Sequence, residues 1–160
     1  MKQYKIYLDI CCLNRPFDSW QQERVQLEAD AVLWIVQRCQ NGEWNLVNSD
    51  ALEFELENTP SRERAEQVLS LLALAQDKII SNEAIENRAK VLIGYGFKFY
   101  DALHIAFAEA AKANVMLTTD DRLLRKALKF QSTLSVTVAN PVTWLMNITQ
   151  FKEGESSDTN

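Results

Sequence analysis

The chain has 160 residues, 47% of them hydrophobic and 24% charged, with a formal net charge of −5. That length suits one domain able to bury most of its apolar surface, and the acidic balance excludes a protein that coats nucleic acid through a general basic surface. Three cysteines, with Cys11 and Cys12 adjacent, and the single histidine His104 supply neither a disulfide framework nor a Cys/His zinc site. A reducing cytoplasm is the expected compartment. No secretory pattern opens the chain, and no apolar run reaches the roughly 18 residues of a membrane span, so a soluble protein without a membrane partner is expected.

Residues 4–9 read as a first strand. Ile6, Tyr7 and Leu8 are apolar at consecutive rather than alternate positions, the pattern of a strand buried on both faces of a parallel sheet. Pro16 and Asp18 punctuate a short connection that includes Asn14 and Arg15. A long helix over about 20–40 carries Val25, Ala29, Val32, Leu33 and Val36 at helical spacing and stops at Asn41-Gly42. A second strand spans 44–47, and Ser49 or Asp50 caps a helix bearing Leu52 and Leu56.

Thr59-Pro60 starts another helix, with Val68, Leu71, Leu72 and Ala75 on its apolar side, and Ser81 caps one running toward Gly94 and Gly96. The most apolar helix covers 99–113. A strand at 115–118, a short helix at 121–129, a last strand at 134–138 and a final helical turn at 141–146 complete the order. Residues 1–150 are read as one domain and 151–160, small and polar, as a disordered tail. The succession predicts an α/β fold, a three-layer α/β/α sandwich around a short parallel sheet with right-handed crossovers. Trp20, Trp34, Trp44 and Trp144 are expected to anchor the core or an interface.

Four carboxylates occupy strand ends and helix starts. Asp9 closes the first strand and Asp120 follows the run 115–119, so both project beyond carboxyl ends of parallel strands, where open α/β sheets bind ligands. Asp101 opens a helix that is apolar nearly all round; taken alone, it also fits a helix cap. At 100° per residue, Asp50, Glu53 and Glu57 fall on a solvated face, whereas Glu55 flanks the stripe of Leu52 and Leu56 and looks inward. Clustered, desolvated carboxylates call for a cation, and the hard divalent ions Mg²⁺ and Mn²⁺ suit them.

The segments Ile6-Tyr7-Leu8-Asp9, Ser49 through Glu55-Leu56, Tyr100-Asp101-Ala102-Leu103-His104-Ile105-Ala106 and Leu117-Thr118-Thr119-Asp120 together resemble the PIN domains, in particular the VapC-type toxins of bacterial toxin–antitoxin pairs. The resemblance runs over roughly 4–145. It implies a metal-dependent ribonuclease whose acidic site is Asp9, Glu55, Asp101 and Asp120. Asp9 and Asp101 are the implied principal ligands, Glu55 a ligand or water-orienting base, and Asp120 an outer or second-metal ligand. It further implies an RNA substrate, a protein antitoxin and a homodimer. The chain departs from the pattern after Asp9, where Ile10-Cys11-Cys12 precede Asn14 in place of a small hydroxyl residue followed by Asn.

Arg122, Arg125, Lys126 and Lys129 line one face of the helix after Asp120, opposite Leu123, Leu124, Ala127 and Leu128. With Thr119 and Asn14, the first three are candidates to hold the substrate phosphate backbone; a solvated face is the competing reading. His104 is read as a core histidine, with a hydrogen bond to Asp101 or a catalytic base role as alternatives. The functional alternative is a catalytically silent PIN-like module that binds RNA or protein, against which the complete acidic set argues.

Overall fold

A computed structural model describes the backbone of residues 3–158 and side chains through residue 149. Strand β1 (Lys5–Leu8) lies at the centre of a five-stranded sheet, flanked by β2 (Asn45–Ser49) and β4 (Val115–Leu117), with β3 (Asp77–Ile79) and β5 (Thr137–Ala139) at the edges. The order β3-β2-β1-β4-β5 is parallel throughout, with Ile6 aligned to Leu46 on one side and Val115 on the other. Ile6, Tyr7, Leu8, Val115, Met116 and Leu117 are each 0% exposed. Consecutive burial of this kind requires both faces of the sheet to be covered, and the helices supply that cover in the expected three-layer α/β/α sandwich.

Asp9 ends β1 and caps α1 (Ile10–Asn14), which passes through a 3-10 turn (Arg15–Phe17) into α2 (Glu23–Gln40). The stretch read as a short connection is thus helical: Asp9 satisfies a free N–H of the turn, and Cys12 and Leu13 drop into the core. α2 buries Ala29, Val32, Ile35, Val36 and Cys39 but leaves Leu33 exposed. Ser49 caps α3 (Asp50–Glu57), accepting from the Leu52 amide at 3.1 Å.

α4 (Arg62–Leu72) starts after the Ser61 cap, two residues beyond Pro60, and α5 (Glu83–Gly94) is capped by Asn82 rather than Ser81. Between them lies β3, a strand the residue pattern did not reveal. α6 (Phe99–Ala110) enters β4, and α7 (Asp121–Lys129) is capped by Asp120. β5 falls three residues later than the start expected for it. α8 (Pro141–Asp158) is longer than the expected turn, so its backbone is helical through most of the segment read as a tail; residues 159–160 lie outside the described residues. Pairings of α2 with α8 and of α5 with α6 dominate the helix packing. Trp44 is 2% exposed and meets Tyr4 and Trp144 edge-on, whereas Trp20 and Trp34 remain 41% and 44% exposed.

Candidate metal centre

The chain runs leftward from β1 to β2 and β3, then crosses back to place β4 on the other side of β1. The carboxyl ends of β1 and β4 therefore flank the switch point of the sheet, where a crevice opens between connections leaving in opposite directions. Asp9 leaves β1 at that point. Its amide donates to the Leu117 carbonyl at 2.9 Å, extending the ladder by one bond and holding the residue beside β4. Asp9 is 7% exposed, and its carboxylate accepts from the Ile10 amide at 2.8 Å and the Thr118 hydroxyl at 2.9 Å. The Cys11 thiol lies 3.4 Å from the same carboxylate and 3.2 Å from the Thr118 hydroxyl. Cys11 thus borders the site.

Glu55 looks inward from α3, as its helical position predicts, and reaches His104 Nε2 at 2.8 Å. Oxygen and nitrogen atoms of Asp9, Glu55 and His104 lie within 4.8 Å of one another. The histidine is 0% exposed, and its partners are Glu55 and, through Nδ1, the Tyr7 hydroxyl at 2.7 Å; neither is the Asp101 partner considered from sequence. By contrast, Asp50 and Glu53 turn to Lys78 on β3, at 3.8 and 2.6 Å.

Asp101 sits in the first turn of α6, whose N-cap position is Lys98 and which has no side-chain cap. Asp101 is thus an acid of the first turn, where the helix dipole favours it, rather than the N-cap residue. Burial raises its pKa to about 6, helped by the charges of Asp9 and Asp120, against weaker opposition from His104 and Lys98. Asp101 thus senses two of the other acids across the crevice. For His104, burial alone would lower the pKa, but the Glu55 hydrogen bond and the charges of Asp9, Glu55 and Asp101 outweigh it and hold the value above the ordinary one. Asp120 serves partly as a cap: one oxygen accepts from the amides of Arg122 at 2.9 Å and Leu123 at 3.4 Å.

A second group, which the sequence did not single out, braces the β4–α7 connection. Glu28, on α2, is 1% exposed and accepts from Arg15 Nε at 2.8 Å, Arg24 Nε at 3.2 Å and Asn140 Nδ2 at 2.8 Å. Arg24 also grips Asp121, at 2.8 and 2.9 Å, and the Thr119 carbonyl at 3.0 Å, on either side of Asp120. An acid surrounded by basic residues at scattered positions has no local sequence signal.

Among the residues read as backbone-holding, Arg122 and Arg125 are exposed, while Lys126 lies over the rings of Phe97 and Phe130, 5.6 and 5.8 Å from their centroids. Leu128, expected on the apolar face, is 66% exposed. Thr119 is 6% exposed, and Asn14 is half-buried with its Oδ1 lacking a hydrogen-bond partner among the described residues.

The donor set suits a hard divalent cation. It is dominated by carboxylate oxygens, and the burial and repulsion that keep Asp101 reluctant to ionise are what a cation would offset. No helix among the described residues is long and apolar enough to cross a membrane.

A parallel α/β sheet carrying acids at its switch point defines the general class, and the comparisons narrow it. The PIN domain family model matches residues 22–129, which include Glu55, Asp101 and Asp120, and the chain belongs to that family. Asp9 precedes the matched stretch and joins the site through β1. No curated protein matches the chain. The fold is similar to the crystal structure of VapBC2 from Rickettsia felis bound to a DNA fragment from their promoter, with a TM-score of 0.50 and 13% identity, covering 85% of this chain and 98% of that one. It is also similar to PAE2754 from Pyrobaculum aerophilum, with a TM-score of 0.48 and 16% identity, covering 89% of this chain and 86% of that one.

Proposed function

We propose that the protein is a divalent-metal-dependent endoribonuclease and the toxin of a toxin–antitoxin pair, with Asp9, Glu55, Asp101 and Asp120 as its acidic site. The observation that carries this reading is the crevice at the sheet's switch point, where Asp101 is partly buried and feels the charges of Asp9 and Asp120, within a chain of the PIN family. A bound Mg²⁺ or Mn²⁺ supplies Lewis-acid stabilisation and an acidified water for hydrolysis of a phosphodiester.

Asp9 and Asp101 would hold the cation, with Asp120 as an outer or second-metal ligand. Thr118 fixes the Asp9 carboxylate through its hydroxyl. Glu55 would complete the ligand set and orient the attacking water. Arg122 and Arg125, on exposed positions of the helix that Asp120 caps, attract the phosphate backbone; Lys126, Thr119 and Asn14 complete the proposed substrate contacts. The acids carry the chemistry while the basic residues only position the strand, which reconciles RNA binding with the net charge of −5.

The toxin assignment draws on the VapC-type pattern of the motifs and on the similarity of fold to VapBC2. It calls for a protein antitoxin that covers the crevice, and a homodimer in a cytoplasmic setting. The test is cleavage of a mixed panel of structured and unstructured RNAs with Mg²⁺, Mn²⁺ or EDTA. Cleavage that needs the metal and is lost in folded Asp9→Asn and Asp101→Asn supports the reading. Metal-independent cleavage, or full activity in both variants, refutes it.

A further inference from the structure

His104 stands close enough to Asp9 and Glu55 to serve as a metal ligand, yet its hydrogen bonds assign it elsewhere. Nε2 faces Glu55 Oε2 at 2.8 Å. An ionised carboxylate has only acceptor atoms, so that nitrogen carries a hydrogen and offers no lone pair to a cation. Nδ1 faces the Tyr7 hydroxyl at 2.7 Å, and that hydroxyl faces Ser49 Oγ, again at 2.7 Å. Ser49 Oγ in turn accepts from the Leu52 amide at the start of α3, the helix that carries Glu55.

These contacts close a circuit. It runs from Glu55 to His104 on α6, to Tyr7 on β1, to Ser49, and back along α3 to Glu55. Tyr7, Ser49 and His104 are each 0% exposed, so water does not compete for any of these bonds. Tyr7 lies on β1 and Asp9 is the extended residue just past its end, two positions on, which places the circuit beside the other acid. Packing alone would accept phenylalanine at position 7; the buried hydroxyl earns its place only through His104 and Ser49. The Tyr100 ring, stacked at 22° and 6.4 Å from the imidazole, further limits its rotation.

Building on the metal-dependent reading, we infer that His104 is not a ligand but a positioning residue, and that Tyr7 and Ser49 act through it to fix the direction of the Glu55 carboxylate. The circuit is satisfied with His104 neutral, when Tyr7 donates to Nδ1 and Ser49 to Tyr7. With His104 charged the bonds reverse, Nδ1 donating to Tyr7 and Tyr7 to Ser49, whose own hydroxyl hydrogen then has no acceptor among the described residues. In both arrangements Nε2 donates to Glu55.

His104 is the single histidine of the chain, so in tag-free ¹⁵N-labelled protein its imidazole signals identify themselves. The expected result is an Nε2-bound hydrogen that survives saturation with Mg²⁺, and a Mn²⁺ complex whose electron spin echo shows no directly bonded nitrogen. Tyr7→Phe, which removes one hydroxyl and no ligand, should move the Nδ1 resonance and weaken Mn²⁺ binding about 10-fold, within the range for partners that orient metal ligands. His104→Gln, able to present an amide N–H near the Nε2 position, should recover most of the Mn²⁺ affinity that His104→Leu loses. Loss of the Nε2 hydrogen on adding Mg²⁺, a nitrogen bonded to Mn²⁺, or unchanged Mn²⁺ affinity in Tyr7→Phe would overturn the assignment. A wild-type protein that binds no Mn²⁺ refutes the metal reading separately. The circuit is then decided by the Glu55 side-chain carboxyl ¹³C shift, which moves in Tyr7→Phe if the circuit orients Glu55 and stays still if it does not.

Discussion

Replacing Asp101 with asparagine should stabilise the metal-free protein at neutral pH. The carboxyl has its pKa raised from an ordinary 3.8 to about 6 by burial and by the charges of Asp9 and Asp120. A raised carboxyl favours the folded state fully below its unfolded pKa, and that contribution is lost as pH climbs through the folded value. Two pH units correspond to about 3 kcal/mol as an upper bound. Asp101 is only half-buried, so solvent screening trims this to roughly 1–1.5 kcal/mol. The N-terminal dipole of α6 favours the carboxylate by about 0.5 kcal/mol and offsets part of the remainder.

The net gain for Asp101→Asn is therefore about 0.5–1 kcal/mol, or roughly 1–4 °C in Tm for a domain of this size. Thermal unfolding in EDTA should show this gain at pH 7.5 and its disappearance by pH 4. Saturating Mg²⁺ should reverse the order, because the wild type gains binding energy that the variant forgoes. An Asp101→Asn protein less stable than wild type at pH 7.5 in EDTA, by a margin independent of pH, would refute the electrostatic reasoning.

Other outcomes follow from the same geometry. Glu28→Ala strips the shared acceptor from Arg15, Arg24 and Asn140 and should cost about 2–4 kcal/mol, measured by urea unfolding, with Glu28→Gln less severe. Leu52→Ala, at a position 0% exposed beneath Glu55, should cost about 2–5 kcal/mol in the same assay. Joint substitution of Arg122 and Arg125 by alanine should weaken RNA binding and lower the slope of log affinity against log salt by roughly two, without changing metal affinity. An unchanged salt slope would return those residues to the role of a solvated face.

Much of this architecture was legible in the chain. Unbroken apolar runs at β1 and β4 identified strands buried on both faces, and the acids that follow those runs leave neighbouring parallel strands at the same end of the sheet. Glu55 followed from helical projection alone. β3 was hidden because Asp77-Lys78-Ile79 is short, half polar and at a sheet edge, so only its neighbour β2 marks it as a strand. α1 was hidden because Asp9, read as the end of a strand, is also the cap of the helix that follows. The partner of His104 lies 49 residues away in sequence, and the partners of Glu28 reach from position 15 to position 140. Side-chain pairs set by tertiary folding leave no periodicity to find. The same holds for Lys126, whose place over Phe97 and Phe130 depends on the turn at Gly96, where φ is +98° and an added Cβ would meet the lysine Nζ at 2.6 Å.

The central claim is that acids from separate elements form one divalent-cation site. Calorimetric titration of Mn²⁺ into wild type and Asp9→Asn at pH 7.5 tests it most directly, since asparagine can still cap α1 and the variant should fold. The expected result is saturable binding by the wild type and at least a tenfold loss in Asp9→Asn, with matching circular dichroism for the two proteins. Equal Mn²⁺ affinity in wild type and a folded Asp9→Asn would contradict it.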